Sequence, residues 1–286
     1  MPIFALETSS ERLSLAIIAE GNLFAREIDA GQRHSELAVN AIAELFAEAK
    51  LAVADMDVIA FGQGPGSFVG VRIACGLAQG LALGAAKKVL PVQTQMALAE
   101  QAFRASSSLS PSANEGDKVL VAIDARMNEI YLAAYQRDES EASAWRSLIA
   151  PMLVKPQELP ELTGAKFNWI GIGSAFDSPI LNTTLGARYP FVEKMISHAL
   201  PSASDVAAIA LRQWMRAKSN GEVVAESRAS AGVDAKAVAP LYLRNQVAQT
   251  IEERLHAAAR MAAIHALDDQ AASEEIKENN PMLASR

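Results

Sequence analysis

Cysteine is nearly missing from this chain. Cys75 is the only one in 286 residues, which excludes an internal disulfide and a cysteine-rich zinc site. Histidine is scarce as well. His34, His198, His256 and His265 are the four, and no two have the four-residue spacing with which a helix offers two imidazoles to one metal. There is no Gly-x-Ser-x-Gly turn to expose a nucleophilic serine. No Gly-Lys-Ser/Thr follows the glycine-rich loop, so it is not a Walker phosphate loop. Lysine and arginine form no run, and the formal net charge is −7. Sequence-independent grip on nucleic acid needs basic side chains that release counterions from phosphates, so the chain alone is expected to hold nucleic acid weakly. Nor does any apolar run read as long and clean enough to cross a bilayer; the richest, residues 73–86, is broken by glycines and Gln79. The start, Met1-Pro2-Ile3-Phe4-Ala5-Leu6-Glu7, puts no basic segment ahead of its apolar residues and meets an acid at once, unlike a secretory leader. A cytoplasmic protein is the expectation.

What is present suits a layered α/β domain. Half the residues are hydrophobic and about a fifth are charged, a composition that builds an ordinary core. Residues 3–7, 13–18 and 23–28 read as a three-stranded meander, with Glu20-Gly21-Asn22 at the second turn. Residues 35–50 carry Leu37, Ala38, Ala41, Ile42, Leu45 and Phe46 at helical spacing, with Ser35 as the N-cap. A buried strand at 57–61, a helix at 71–86, a strand at 89–92 and a helix at 96–103 follow. The Ser/Pro/Asn/Gly-rich stretch 105–117 marks a subdomain boundary. Strands are then expected at 119–123, 130–135 and 169–173, a helix at 204–215 and an extended segment at 238–243. Residues 251–267 are alanine-rich and read as a helix. The polar, acidic remainder lacks the apolar residues to fold alone. The strand pairs beginning at Phe4 and Leu120 resemble each other and hint at an internal duplication.

Two segments draw attention. In Gly62-Gln63-Gly64-Pro65-Gly66-Ser67-Phe68-Val69-Gly70-Val71-Arg72, glycines join a strand to a helix. Exposed amides at Gly64, Gly66, Ser67 and Gly70 would suit an anion at a helix N-terminus; a sharp turn that needs glycine only for packing explains them equally well. In the following helix Gly76, Gly80 and Gly84 lie four apart. Each costs about 1 kcal/mol relative to alanine, so a bare stripe of three needs a compensating contact, either inside the domain or with a partner helix; the partner is favoured here. The turn at Glu7-Thr8-Ser9-Ser10 and its counterpart Asp124-Ala125-Arg126 lack the glycine that lets a phosphate approach the backbone in actin-like phosphotransferases, so both read as degenerate.

Phe4-Ala5-Leu6-Glu7-Thr8-Ser9, His34-Ser35, the run from Gly64 to Ile73, the segment from Ala122 to Tyr131 and Pro240-Leu241-Tyr242-Leu243-Arg244 together resemble the signature segments of the TsaB (YeaZ) family, over residues 3 to about 247. The resemblance implies an actin-like ASKHA (RNase H-like) α/β fold of two related lobes: 1–110, carrying the partner-binding helices, and 117–248, with 249–286 a charged helix and flexible tail. It implies a non-catalytic dimerisation subunit, with no catalytic residue and no metal site of its own. The partner would be TsaD, with the ATPase TsaE, in the complex that moves threonylcarbamoyl to the adenosine beside a tRNA anticodon. ATP, magnesium and a divalent metal would belong to those partners, and tRNA would be held only through the complex. Alone, the chain would form a homodimer or stay monomeric, and no membrane is implied. The pairing surface would comprise His34, Leu37, Ala38 and Ala41 on one helix. Arg72, Ile73, Gly76, Leu77, Gly80, Leu83 and Gly84 would supply the other. Glu7 stands where the family usually has aspartate and Val69 where it usually has threonine; both count against nucleotide binding here. The alternatives are a homodimeric actin-like scaffold and a degenerate ASKHA ATPase.

Overall fold

The first strands are apolar on both faces, and the strand period of two decides which layer each side chain joins. Strands β1 (Ile3–Glu7), β2 (Arg12–Ala19), β3 (Asn22–Asp29), β4 (Val58–Gly62) and β5 (Lys88–Val92) form one sheet in the order β3-β2-β1-β4-β5. β1 runs antiparallel to β2 and parallel to β4. Phe4, Leu6, Leu15, Ile59 and Phe61 point to one face. Ile3, Ala5, Ala16, Val58 and Ala60 point to the other. The computed structural model describes residues 1–109, 118–162, 169–220 and 232–244. Residues 1–243 form one compact unit and 244–286 another. The helix expected over 251–267 and the tail beyond it lie outside the described residues, as do His256, His265 and most of the boundary stretch.

The duplication is present as topology. β6 (Lys118–Asp124), β7 (Ile130–Arg137), β8 (Trp145–Val154), β9 (Trp169–Ile172) and β10 (Val192–Ile196) form a second sheet in the order β10-β9-β6-β7-β8. Its antiparallel and parallel pairings repeat those of the first sheet strand for strand. This is the two-lobe α/β arrangement that the actin-like resemblance implies. Helix α1 (His34–Ala49) follows β3, and α2 (Phe68–Ala85) joins β4 to β5. Helix α3 (Thr94–Leu109) follows β5, α4 (Pro179–Arg188) joins β9 to β10, and α5 (Ala203–Ser219) follows β10. Thus α2 and α4 correspond, and so do α3 and α5.

The corresponding helices α3 and α5 are exchanged between lobes. Leu98, Ala99 and Ala102 of α3 pack on Val119 and Val121 of the second sheet. Val206, Ile209 and Ala210 of α5 pack on Ile3, Ala5 and Val58 of the first. The two helices meet through charge. Arg104 of α3 donates from Nε and Nη2 to the two oxygens of Asp205, each at 3.1 Å. Burial pushes the Asp205 carboxyl up to about 6 despite that guanidinium. One turn earlier, Glu100 accepts from Arg212 of α5 (2.6 and 3.1 Å), from Arg137 of β7 (3.2 Å) and from the Trp145 indole of β8 (2.7 Å).

Several expectations need correction. α1 begins at His34 and not after a Ser35 cap. The Arg33 amide donates to the Ala30 carbonyl in the turn leaving β3, and that turn starts the helix one residue earlier. α3 runs to Leu109, into the stretch read as a boundary. β8, α4 and β10 were not anticipated. α2, at 18 residues, has the length and apolarity to cross a membrane, about 27 Å at 1.5 Å per residue, contrary to the sequence reading. It nonetheless buries Val71, Ala74, Ala78 and Ala82 against a sheet whose strands β4 and β5 it joins in parallel. A path through lipid would pull those strands apart.

The clasp at Glu100 is testable. Glu100→Gln leaves two guanidiniums facing a neutral amide, and breaking a buried ion pair costs about 3 kcal/mol or more. The thermal midpoint is expected to fall by several degrees. An unchanged midpoint would remove the clasp from the account of stability.

Candidate functional site

The loop from β4 to α2 lies against the turn that leaves β1. Ser67 caps α2, its Oγ accepting from the Gly70 amide at 3.3 Å. The Ser67 amide donates to the Ser9 carbonyl at 2.7 Å. The Thr8 hydroxyl donates to the Gly70 carbonyl at 2.7 Å, and the Gly64 amide donates to Thr94 Oγ1 at 3.1 Å. Gly64 has φ +100°, a conformation glycine tolerates. A Cβ at Gly66 would stand 2.6 Å from the Ser9 carbonyl oxygen, and one at Gly70 would stand 1.9 Å from that of Thr8. The glycines are therefore needed because backbone meets backbone. The expectation of an anion cradle at Gly64, Gly66, Ser67 and Gly70 is corrected: the chain's own β1 turn fills the space, and the amides of Gly64, Ser67 and Gly70 are committed within it.

Glu7 closes the same cluster from below. Its carboxylate accepts from the Ser9 amide at 2.7 Å and from the Thr94 hydroxyl at 2.9 Å. It is fully buried. Burial pushes its carboxyl above the usual range, and the bonds from Ser9 and Thr94 pull the other way. In the second lobe the matching carboxylate, Asp124, accepts from the Arg126 amide at 2.8 Å. Gly173 takes the place next to it, where a Cβ would stand 2.3 Å from the Ala122 carbonyl oxygen. Both turns thus use a glycine of the neighbouring strand end for close packing.

The outer side of α2 is the opposite case. Gly76, Gly80 and Gly84 are exposed, and a Cβ at any of them meets nothing within 4 Å among the described residues. Packing against other described residues, one of the two explanations for the stripe, therefore does not account for it. Around it Val69 and Leu83 are exposed at 64% and 53%. Ile73 and Leu77 are half-buried on the flank of the stripe, and Arg72 is exposed. On α1 the outcome differs from expectation. Ala38 and Ala41 are buried in the core with Ile42 and Leu45, because they face the sheet. His34 is 5% exposed and its Nε2 has no hydrogen-bond partner among the described residues. Leu37 is half-buried, and the exposed large apolar residue of α1 is Val39.

Sequence reasoning missed the strap over the other flank of α2. Residues 232–243 cross it: Val233 and Val89 exchange amide hydrogen bonds at 2.7 and 3.0 Å, and the Leu241 amide donates to the Gln63 carbonyl at 2.8 Å. Gln79 Nε2 donates to the carbonyls of Ala235 and Val238 at 3.0 and 3.1 Å. The polar Gln79 in an apolar helix was the available signal.

Comparison with known proteins gives one answer. The family model described as TsaD, tRNA N6-adenosine threonylcarbamoyltransferase, matches residues 28–252. The tRNA threonylcarbamoyladenosine biosynthesis protein TsaB of Escherichia coli K12 is 32% identical over 252 residues, 87% of this chain and 96% of that protein. TsaB of Haemophilus influenzae is 30% identical over 86% of this chain and 95% of its own. YeaZ from Pseudomonas aeruginosa superposes with a TM-score of 0.65 at 30% identity, covering 85% of this chain and 99% of that one.

The two classes of glycine give opposite expected outcomes. Gly70→Ala drives a methyl into the Thr8 carbonyl and should cost about 1–3 kcal/mol or more. Gly80→Ala meets no neighbour and should stabilise by about 1 kcal/mol through helix propensity. Urea denaturation of both variants checks this; a destabilised Gly80→Ala would show that the stripe is packed after all.

Proposed function

The chain belongs to the TsaB (YeaZ) family of tRNA threonylcarbamoyladenosine biosynthesis proteins, and on that membership we propose that it is the non-catalytic subunit that pairs with TsaD. TsaE joins the pair, and the complex moves threonylcarbamoyl from its adenylate to the adenosine beside the anticodon. This chain's part is to dock and position the transferase, and the work is cytoplasmic. tRNA is held through the complex, since the formal charge of this chain is −7 and phosphate binding rests on basic residues.

The observation that carries the reading is the family membership itself. The open glycine stripe supports it, because a bare helix face suits the close approach of a partner helix. Three glycines in one helix cost about 1 kcal/mol each, and no contact among the described residues repays them. A partner helix approaching to backbone distance does, as between small-residue faces elsewhere. The buried side of α2 is locked onto the sheet by Ala74, Ala78 and Ala82, so the bare side is presented on a rigid support.

Gly80→Leu tests it. A leucine at the centre of the stripe holds the partner helix away and should weaken binding to TsaD by about tenfold or more, the equivalent of 1–3 kcal/mol of overpacking. The melting temperature of the isolated variant should hold or rise, since nothing lies within 4 Å of that position. Full-affinity pairing by the variant would move the interface elsewhere. A wild-type chain that self-associates and ignores TsaD would favour the homodimeric scaffold.

A further inference from the structure

We propose that Arg72, held in the corner between Phe68 and Tyr242, is a carboxylate clamp that selects the partner helix docking on α2. The proposal rests on the reading above that this face pairs with TsaD. Phe68 and Arg72 lie one turn apart on α2. The guanidinium carbon stands 3.2 Å from the centroid of the Phe68 ring and 4.8 Å from that of Tyr242. The two rings are 6.0 Å apart and tilted by 46°. Arg72 Nη1 donates to the Phe68 carbonyl at 2.8 Å. Its Nε and Nη2 donate to nothing among the described residues, which leaves donors for a two-pronged bond to a carboxylate.

Arg72 is unusual in its own chain. Acids outnumber bases by 33 to 26, and Arg12, Arg26, Arg104, Arg137 and Arg212 each hold a carboxylate. Arg72 holds none among the described residues. It is kept instead by two aromatic rings that are themselves 44% and 46% exposed. Two large rings left half in water beside an unpaired guanidinium form an incomplete contact, and charge complementarity names what completes it: an aspartate or glutamate on an otherwise apolar helix. The stacked guanidinium is pre-ordered, so less side-chain entropy is lost when the pair forms.

The strap supplies Tyr242 and fixes where it stands. Leu241 is tied to Gln63, and the strap's earlier carbonyls are tied to Gln79 of α2 itself. Tyr242 is thus a positioning residue: it acts on the partner through Arg72. Its ring does the stacking, so the hydroxyl is dispensable.

The experiment measures binding of the full chain to TsaD at about 50 and 300 mM salt, concentrations between which exposed charge pairs are increasingly screened. Arg72→Ala is expected to weaken binding about tenfold or more and to flatten its salt dependence; Arg72→Glu is expected to weaken it further. Replacing acids of TsaD by arginine one at a time should find one that restores binding to Arg72→Glu. Tyr242→Phe should bind as wild type, and Tyr242→Ala should lose about threefold or more with its melting temperature unchanged. If Gly80→Leu disrupts pairing while Arg72→Ala keeps wild-type affinity and salt dependence, the clamp is wrong and the interface stands. If wild type does not bind TsaD, the underlying reading fails first. Equal loss in Tyr242→Phe and Tyr242→Ala, with early melting in both, would overturn the positioning role.

Discussion

One buried carboxylate joins four elements of the structure. Glu100 of α3 accepts from Arg212 of α5, Arg137 of β7 and the Trp145 indole of β8. A lone carboxylate in that place would be costly; with three donors converging, it becomes a joint that exists only when all four elements are assembled. It matters because of the helix exchange. The first sheet has α5 on one face and the second has α3, so neither lobe has its cover until the other half of the chain is folded. Arg104 and Asp205 repeat the arrangement one turn away. The lobes are therefore built to hold one geometry, and the first sheet is a firm base for α1 and α2.

On that base α2 has two kinds of surface. Inward and at its start, glycine is used where a Cβ would strike the backbone of the β1 turn at Thr8 and Ser9. That contact packs the loop onto the β1 turn and leaves no room there for a Cβ. Outward, glycine is used where nothing is near. The first use stabilises the isolated chain. The second costs it helix propensity with no compensating contact among the described residues. The proposed docking role calls for both: rigidity behind the interface and an uncompensated surface in front of it.

Much of this was legible in the sequence. Unbroken apolar runs at 3–6, 58–62 and 119–123 mark the central strands, and the meander repeated after residue 118 marks the duplication. The misses have physical causes. β8 is an edge strand of mixed burial in which Arg146, Ser147 and Pro151 interrupt the alternation. α4 has only ten residues, two of them threonines, and buries just Leu181 and Leu185. The glycine stripe could be found but not oriented. Ala74, Ala78 and Ala82 form a second small-residue stripe at the same spacing, and spacing alone does not say which one faces the sheet. The family resemblance puts Ala38 and Ala41 on the partner surface, and they are core. The anion-loop reading failed because glycine spacing is silent about the carbonyls of Thr8 and Ser9, which arrive from another strand.

The central claim is that the bare outer face of α2, flanked by α1 and the strap, is where TsaD docks. Hydrogen exchange followed by mass spectrometry on the full chain, with and without TsaD, tests it without altering a residue. Docking a helix against the stripe excludes water from backbone amides that are exposed for want of side chains. Peptides covering 68–85 should exchange more slowly in the complex, with 238–243 slowed beside them, while α4 and β8 keep their free rates. A stable complex that leaves 68–85 unprotected and slows exchange only at α4 or β8 would contradict the account.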